Sequence, residues 1–260
     1  MTKSIQLTLK YFLLVVLLSL PFYVLAAFIG VTKNPLVKLP ISVLAVFCPS
    51  FALLLSDKAS FKENFSNVFD LKKINNPVWT LVTFLLLPVL MFITFLTMTF
   101  AGVSLPDFEL NLLDTVILFA LFFIAAILEE LGWTGHLTRQ LLTNNTILRT
   151  GVFIGLLWAI WHIIPYFQND KSFTLILWQC VTNILLRILM VWIFIRGGTS
   201  LFLIILFHTM INIVEFLFPK MGSHYDPFYF SLILLPVTVT IIFFDRQKEP
   251  KEISEEYASH

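Results

Sequence analysis

Eight stretches of about 18 to 25 mostly apolar residues follow one another along this chain, each long enough to cross a bilayer as a helix. They are residues 9–29, 36–55, 78–101, 113–133, 150–167, 173–195, 200–218 and 227–244. The runs are continuous rather than alternating, which argues against an outer-membrane barrel. Only 13% of the residues are charged, about half the globular average, while 58% are hydrophobic and the mean hydropathy is +0.89. A water-soluble domain has no way to hide so much apolar surface. The expected fold is an all-α polytopic membrane protein of about eight transmembrane helices, with the active-site helices in its second half.

Basic residues set the expected orientation. With the N-terminus inside, the inner segments hold Lys3, Lys10, Lys58, Lys62, Lys72, Lys73, Arg139, Arg149, Arg196, Arg246, Lys248 and Lys251. The outer ones hold only Lys33, Lys38, Lys171 and Lys220. The chain is therefore expected in the cell membrane with both termini cytoplasmic. The first apolar run is longer than the core of a signal peptide and reads as a retained span. Residues 1–112 form an N-terminal three-helix segment, 113–244 a core carrying the polar motifs, and 245–260 a charged cytoplasmic tail. Residues 135–149 are less apolar, and Leu137, Leu141 and Leu142 share one face, so a short interfacial helix is expected there. Trp133 is then placed at the headgroup level. Cys48 and Cys180 lie in apolar runs and read as small buried hydrophobes. A net charge of +1 offers no field for nucleic acid.

Against this background a few polar residues stand out. Glu129 and Glu130 end the apolar run of residues 115–128, and a carboxylate at that depth costs roughly 3 kcal/mol even on the mildest scale. His162, Asn183, Arg187, His208, Asn212 and Glu215 follow in later spans. His208 and Asn212 are one turn apart on a helix face, with Glu215 on the same side. Adjacent glutamates point about 100° apart, so one faces a water while the other holds an imidazole or a helix end. Carboxylate and imidazole around one water make a general base for attack on a carbonyl. A second imidazole and an amide N–H can donate to the oxyanion that forms. No Ser or Cys is placed as a nucleophile. Counted along their helices, these groups fall in the inner half or near the midplane, so one cavity open to the cytoplasm is expected to hold them.

The segments EELGWTG, WAIWH and FHTMIN resemble the three motifs of the CPBP intramembrane protease family: Glu-Glu-x-x-x-Arg, Phe-x-x-x-His and His-x-x-x-Asn. That family groups CaaX prenyl proteases with bacteriocin-processing and immunity-associated (Abi) membrane proteins. The resemblance implies a hydrolase in which Glu129 and His162 activate water, His208 and Asn212 form the oxyanion site, and Glu130 is a supporting acid. Two positions depart from the pattern. Thr134 stands in place of the Arg, and Trp158 in place of the Phe. The aromatic exchange reads as mild. The missing cation is sought in Arg139 first and Arg187 second.

The implied activity is cleavage of a peptide bond near the cytoplasmic membrane face, in a peptide or small membrane-protein substrate held with the lipid bilayer. One alternative is a catalytically weak member acting in bacteriocin self-immunity or as a membrane binding partner. A more distant one is a proton-coupled transporter. Glu129, His162 and His208 also match the ligand set of some hydrolytic zinc sites, but there is no His-Glu-x-x-His, so a metal-free mechanism is favoured. As bland readings, Asn183 and Arg187 are four apart and pair with each other, while Trp161, Trp178 and Trp192 pack or face lipid.

Overall fold

The computed structural model of the chain describes residues 3–29, 41–108 and 110–245, and the expected tail 246–260 lies outside them. The described residues form helices joined by short connections. Helix α1 (Lys3–Ile29) is followed by a 3-10 turn (Ile41–Val46) leading into α2 (Phe47–Ser56). Helix α3 (Lys58–Ser66) is capped by Asp57, whose carboxylate accepts from Ser60 N–H at 3.0 Å. Then come α4 (Val78–Phe100) and α5 (Leu112–Gly132). Helix α5 runs through a π-helical segment (Trp133–Thr138) into α6 (Arg139–Leu142). The last four are α7 (Ile147–Gln168), α8 (Phe173–Arg196), α9 (Leu201–Leu217) and α10 (Pro227–Asp245).

Six of these units are long and apolar enough to cross a bilayer: 5–29, 78–100, 112–142, 147–168, 173–196 and 227–245. Two shorter apolar helices, 41–56 and 201–217, occupy the places of the second and seventh expected spans. The outer surface is apolar, with Phe28, Phe100 and Leu112 at 85%, 89% and 78% exposure, as a lipid-facing surface must be. Helix α9 is the inverse. It is buried along most of its length, from Leu201 to Leu217, and carries His208 into the centre of the bundle.

The connections sort onto two ends of the bundle. At one end, Asn75 Nδ2 donates to Arg196 O at 3.0 Å, and Arg196 Nε meets Asp245 at 2.6 Å. The start of α1 lies at this end too, where Ile5 shares a small cavity with Leu141 and Arg149. At the other end, Gln168 Nε2 donates to Tyr23 O at 2.8 Å. The α7–α8 and α9–α10 connections are on that side.

Helix α1 is tied into the bundle by buried hydrogen bonds. Tyr11 Oη donates to Pro49 O, and Trp161 Nε1 to Ser19 Oγ at 2.8 Å. Pro165 has no N–H for the carbonyl of Trp161, and Tyr23 Oη donates to that carbonyl instead, at 2.8 Å. Helices α7 and α8 pack most closely of all. A Cβ on Gly151 would lie 2.6 Å from Ile188 Cα, and one on Gly155 would lie 2.8 Å from Ile184 Cα. The Gly151-x-x-x-Gly155 spacing thus brings two backbones together, as small residues do in membrane helix pairs.

Two expectations need correction. No separate interfacial helix occupies 135–149, because the helix begun at Leu112 continues to Leu142 through the π-helical segment and α7 starts at Ile147. Leu137 and Leu141 face inward against α1 rather than lipid. For the same reason Trp133 does not face outward as an interfacial indole would. It is fully buried, packed against Phe12 and Trp161.

Candidate active site

The π-helical segment begins one turn beyond the two glutamates, and such insertions occur often at functional sites. Gly132 sits at the junction, where Tyr11 Oη and the Pro49 carbonyl leave no room for a Cβ. Upstream, Ser50 Oγ donates to Leu128 O. Helices α1, α2 and α5 therefore hold the glutamate turn between them.

The two carboxylates have different surroundings. Glu130 is fully buried and accepts four hydrogen bonds. Arg187 Nη2 and His208 Nδ1 donate to Oε1 at 2.7 and 2.8 Å. Arg187 Nη1 and Thr134 Oγ1 donate to Oε2 at 2.8 and 2.5 Å. Its lone pairs are used, and the bidentate guanidinium neutralises it inside the bundle. Glu129 accepts one hydrogen bond, from Trp158 Nε1 at 3.0 Å, and lines a cavity of about 730 Å³.

Trp158 joins the remaining groups. Its carbonyl accepts from His162 Nδ1 at 2.8 Å, which leaves the other ring nitrogen of His162 unprotonated in the neutral imidazole. Its ring stands edge-on to His162 and His208, with centroids 4.8 and 5.4 Å apart. The Arg187 guanidinium carbon lies 4.3 Å above the same ring, within cation–π range. One side chain thus bonds Glu129 and touches two partners of Glu130, Arg187 and His208.

Of the five residues singled out as catalytic, Glu129, Glu130 and His208 come together most tightly, with ligand-type atoms within 4.8 Å of one another. His162 is not in that group. It is half-buried on the cavity wall, stacked on Tyr166 and reached through Trp158. Asn212 lines the cavity one turn beyond His208, and Glu215 lines it a turn further on. Glu215 accepts from Gln179 Nε2 at 3.3 Å and Tyr225 Oη at 3.1 Å.

Three finer expectations are not met. Arg139 does not serve the glutamates, because its guanidinium stands 5.5 Å over the Phe194 ring. Arg187 does, and so does not pair with Asn183, whose Nδ2 donates to Tyr166 Oη at 3.0 Å. The cavity does not open toward the end that holds the start of α1. Its rim comprises Asn169, Lys171, Lys220, Gly222 and Ser223, all at the opposite end. Toward the α1 start, Leu131, Trp133, Leu137 and Leu201 are buried and line no part of the cavity. Counting His162 from Ile147 puts it about 22 Å from that end and about 9 Å from Gln168, at ~1.5 Å per residue.

An acid, two imidazoles and an amide beside a cavity within an apolar helical bundle make a candidate hydrolase site. Comparisons with known proteins agree. The family model described as type II CAAX prenyl endopeptidase Rce1-like matches residues 111–214, the stretch from the start of α5 to Val214. The CAAX prenyl protease 2 of Methanococcus maripaludis is 28% identical over 193 residues, covering 68% of this chain and 70% of its own. These similarities indicate a membrane endopeptidase, similar to the type II CAAX prenyl endopeptidases over the stretch that carries the site.

Proposed function

We propose that this endopeptidase cleaves a membrane-associated peptide by water that Glu129 and His162 activate, without a metal. The observation that carries the proposal is the unequal dress of the two carboxylates. Glu130 is consumed by four donors, whereas Glu129 keeps acceptor capacity beside the cavity.

A water held between Glu129 and the unprotonated nitrogen of His162 attacks the scissile carbonyl carbon. Its proton passes to Glu129 as the new C–O bond forms. The oxyanion accepts from Asn212 Nδ2 and from the second ring nitrogen of His208. That second donation requires a proton on each ring nitrogen of His208, with Nδ1 facing the Glu130 carboxylate. Collapse of the intermediate breaks the C–N bond, and Glu129 returns its proton to the departing amine. Residues 113–244 carry this chemistry, and 1–112 buttress it.

Residues at the site argue against a metal here. Glu129, Glu130 and His208 lie close enough together to be considered as ligands. However, Arg187 already supplies the positive charge, and it leaves Glu130 and His208 Nδ1 engaged with each other. Thr134 in place of the motif's Arg is the feature that would point to a catalytically weak member. Arg187 and the Thr134 hydroxyl together give Glu130 the partners that the motif's cation would provide.

The test compares small membrane peptides, by mass spectrometry, in cells holding wild-type, Glu129→Gln, His162→Ala or His208→Ala protein. The expected result is a cleavage product with wild type alone. Wild-type processing by Glu129→Gln protein overturns the mechanism.

A further inference from the structure

We propose that the catalytic cavity opens on the extracytoplasmic face, so that the substrate is a peptide whose scissile bond lies at that face. Two independent observations meet here. The first is geometric: the cavity rim is built from the α7–α8 connection (Asn169, Lys171) and the α9–α10 connection (Lys220, Gly222, Ser223). The second is the charge of the two ends. Nine of the described lysines and arginines lie at or near the end away from the rim: Lys3, Lys10, Lys58, Lys62, Lys72, Lys73, Arg139, Arg149 and Arg196. The rim end has Lys171 and Lys220. Short basic segments stay on the cytoplasmic side of a membrane, so the basic end is cytoplasmic and the rim is not.

The lining fits a peptide rather than an ion or a sugar. Val46, Phe122 and Phe216 give apolar wall, while Gln179, Asn212 and Tyr166 offer groups for a backbone. At about 730 Å³ the space is comparable with sites that enclose drug-sized ligands, roughly 300–1,000 Å³. An extended segment just outside a membrane helix, or the apolar leader of an exported peptide, has this chemistry. A cytoplasmic C-terminus would have to cross the bilayer to reach the cavity. The identity of the substrate rests on the endopeptidase reading above; the sidedness of the cavity does not.

Labelling with a membrane-impermeant maleimide tests the sidedness. In Cys48→Ala/Cys180→Ala protein, Ser223→Cys places a thiol at the rim and Ser66→Cys places one at the basic end; both positions are exposed. In intact cells Ser223→Cys should be labelled at least tenfold more than Ser66→Cys, and permeabilisation should remove the difference. The reverse pattern overturns the proposal. As a second reading on the otherwise unmodified chain, a fluorescent protein fused after His260 should fluoresce, and alkaline phosphatase fused there should be inactive. An active phosphatase overturns the proposal as well. Neither readout depends on cleavage, so Glu129→Gln protein should give the same labelling, and failure of the catalytic mechanism would be told apart from failure of this one.

Discussion

Glu130 and Arg187, 57 residues apart in sequence, form a bidentate ion pair at 2.7 and 2.8 Å with almost no exposure of either side chain. It links α5 to α8 across the bundle, and the same carboxylate holds His208 on α9. Breaking a buried pair by removing one partner typically costs about 3–5 kcal/mol.

The two glutamates should separate on mutation. Glu129→Gln keeps the fold and lowers turnover by about 10²–10⁴, the usual worth of a general base. Glu130→Gln lowers both turnover and the unfolding temperature in detergent. Equal loss of stability in both variants would count against the assignment of roles.

Arg187→Met should inactivate and destabilise the protein, because it strips the bidentate guanidinium from a buried carboxylate. Adding Thr134→Arg to the same chain returns a guanidinium to the position the family motif gives it. Partial recovery of cleavage and melting temperature in the double variant is the expected outcome, measured against both single variants.

Trp158→Phe installs the motif's own residue and removes the N–H that reaches Glu129. A hydrogen bond to a charged group is worth about 1.5–3 kcal/mol, so kcat should fall roughly 10- to 100-fold. The melting temperature should shift much less than in Arg187→Met protein.

Gly155→Leu tests the helix contact that sets Arg187 in place. The new side chain meets Ile184 Cα and Arg187 Cβ, and overpacking of this kind costs about 1–3 kcal/mol. Activity should be lost while Ser66→Ala, on the exposed surface, leaves it unchanged.

Purified active protein should keep its activity after dialysis against a strong chelator. Stoichiometric zinc that leaves together with activity, and restores it on return, would replace the water-activation scheme with a metal-assisted one.

Much of the architecture can be read from the amino acids. Helical spans announce themselves by length, and the acids and imidazoles stand out because lipid makes them expensive. The tertiary partners are harder to read. Nearness in sequence favours Arg139 as the counter-ion, yet an arginine in mid-span such as Arg187 needs a buried acid more than one near a helix end does. The Gly151-x-x-x-Gly155 pattern marks the close helix contact that brings Arg187 alongside α7. Trp158 looked like an apolar exchange, because hydropathy does not register an indole N–H aimed at a carboxylate. The span that hydropathy ends at Trp133 continues to Leu142, because Leu137 and Leu141 are buried against α1 rather than set at a membrane surface.

The ring of Trp158 under the Arg187 guanidinium carries a consequence for descent. Replacing it with a smaller aromatic removes the platform for the cation and the donor to Glu129 together. Homologous chains with tryptophan at this position are therefore expected to carry arginine on the following helix and to lack it four residues after the second glutamate. Lineages with phenylalanine should show the opposite pairing, so that the three sites drift through evolution in concert.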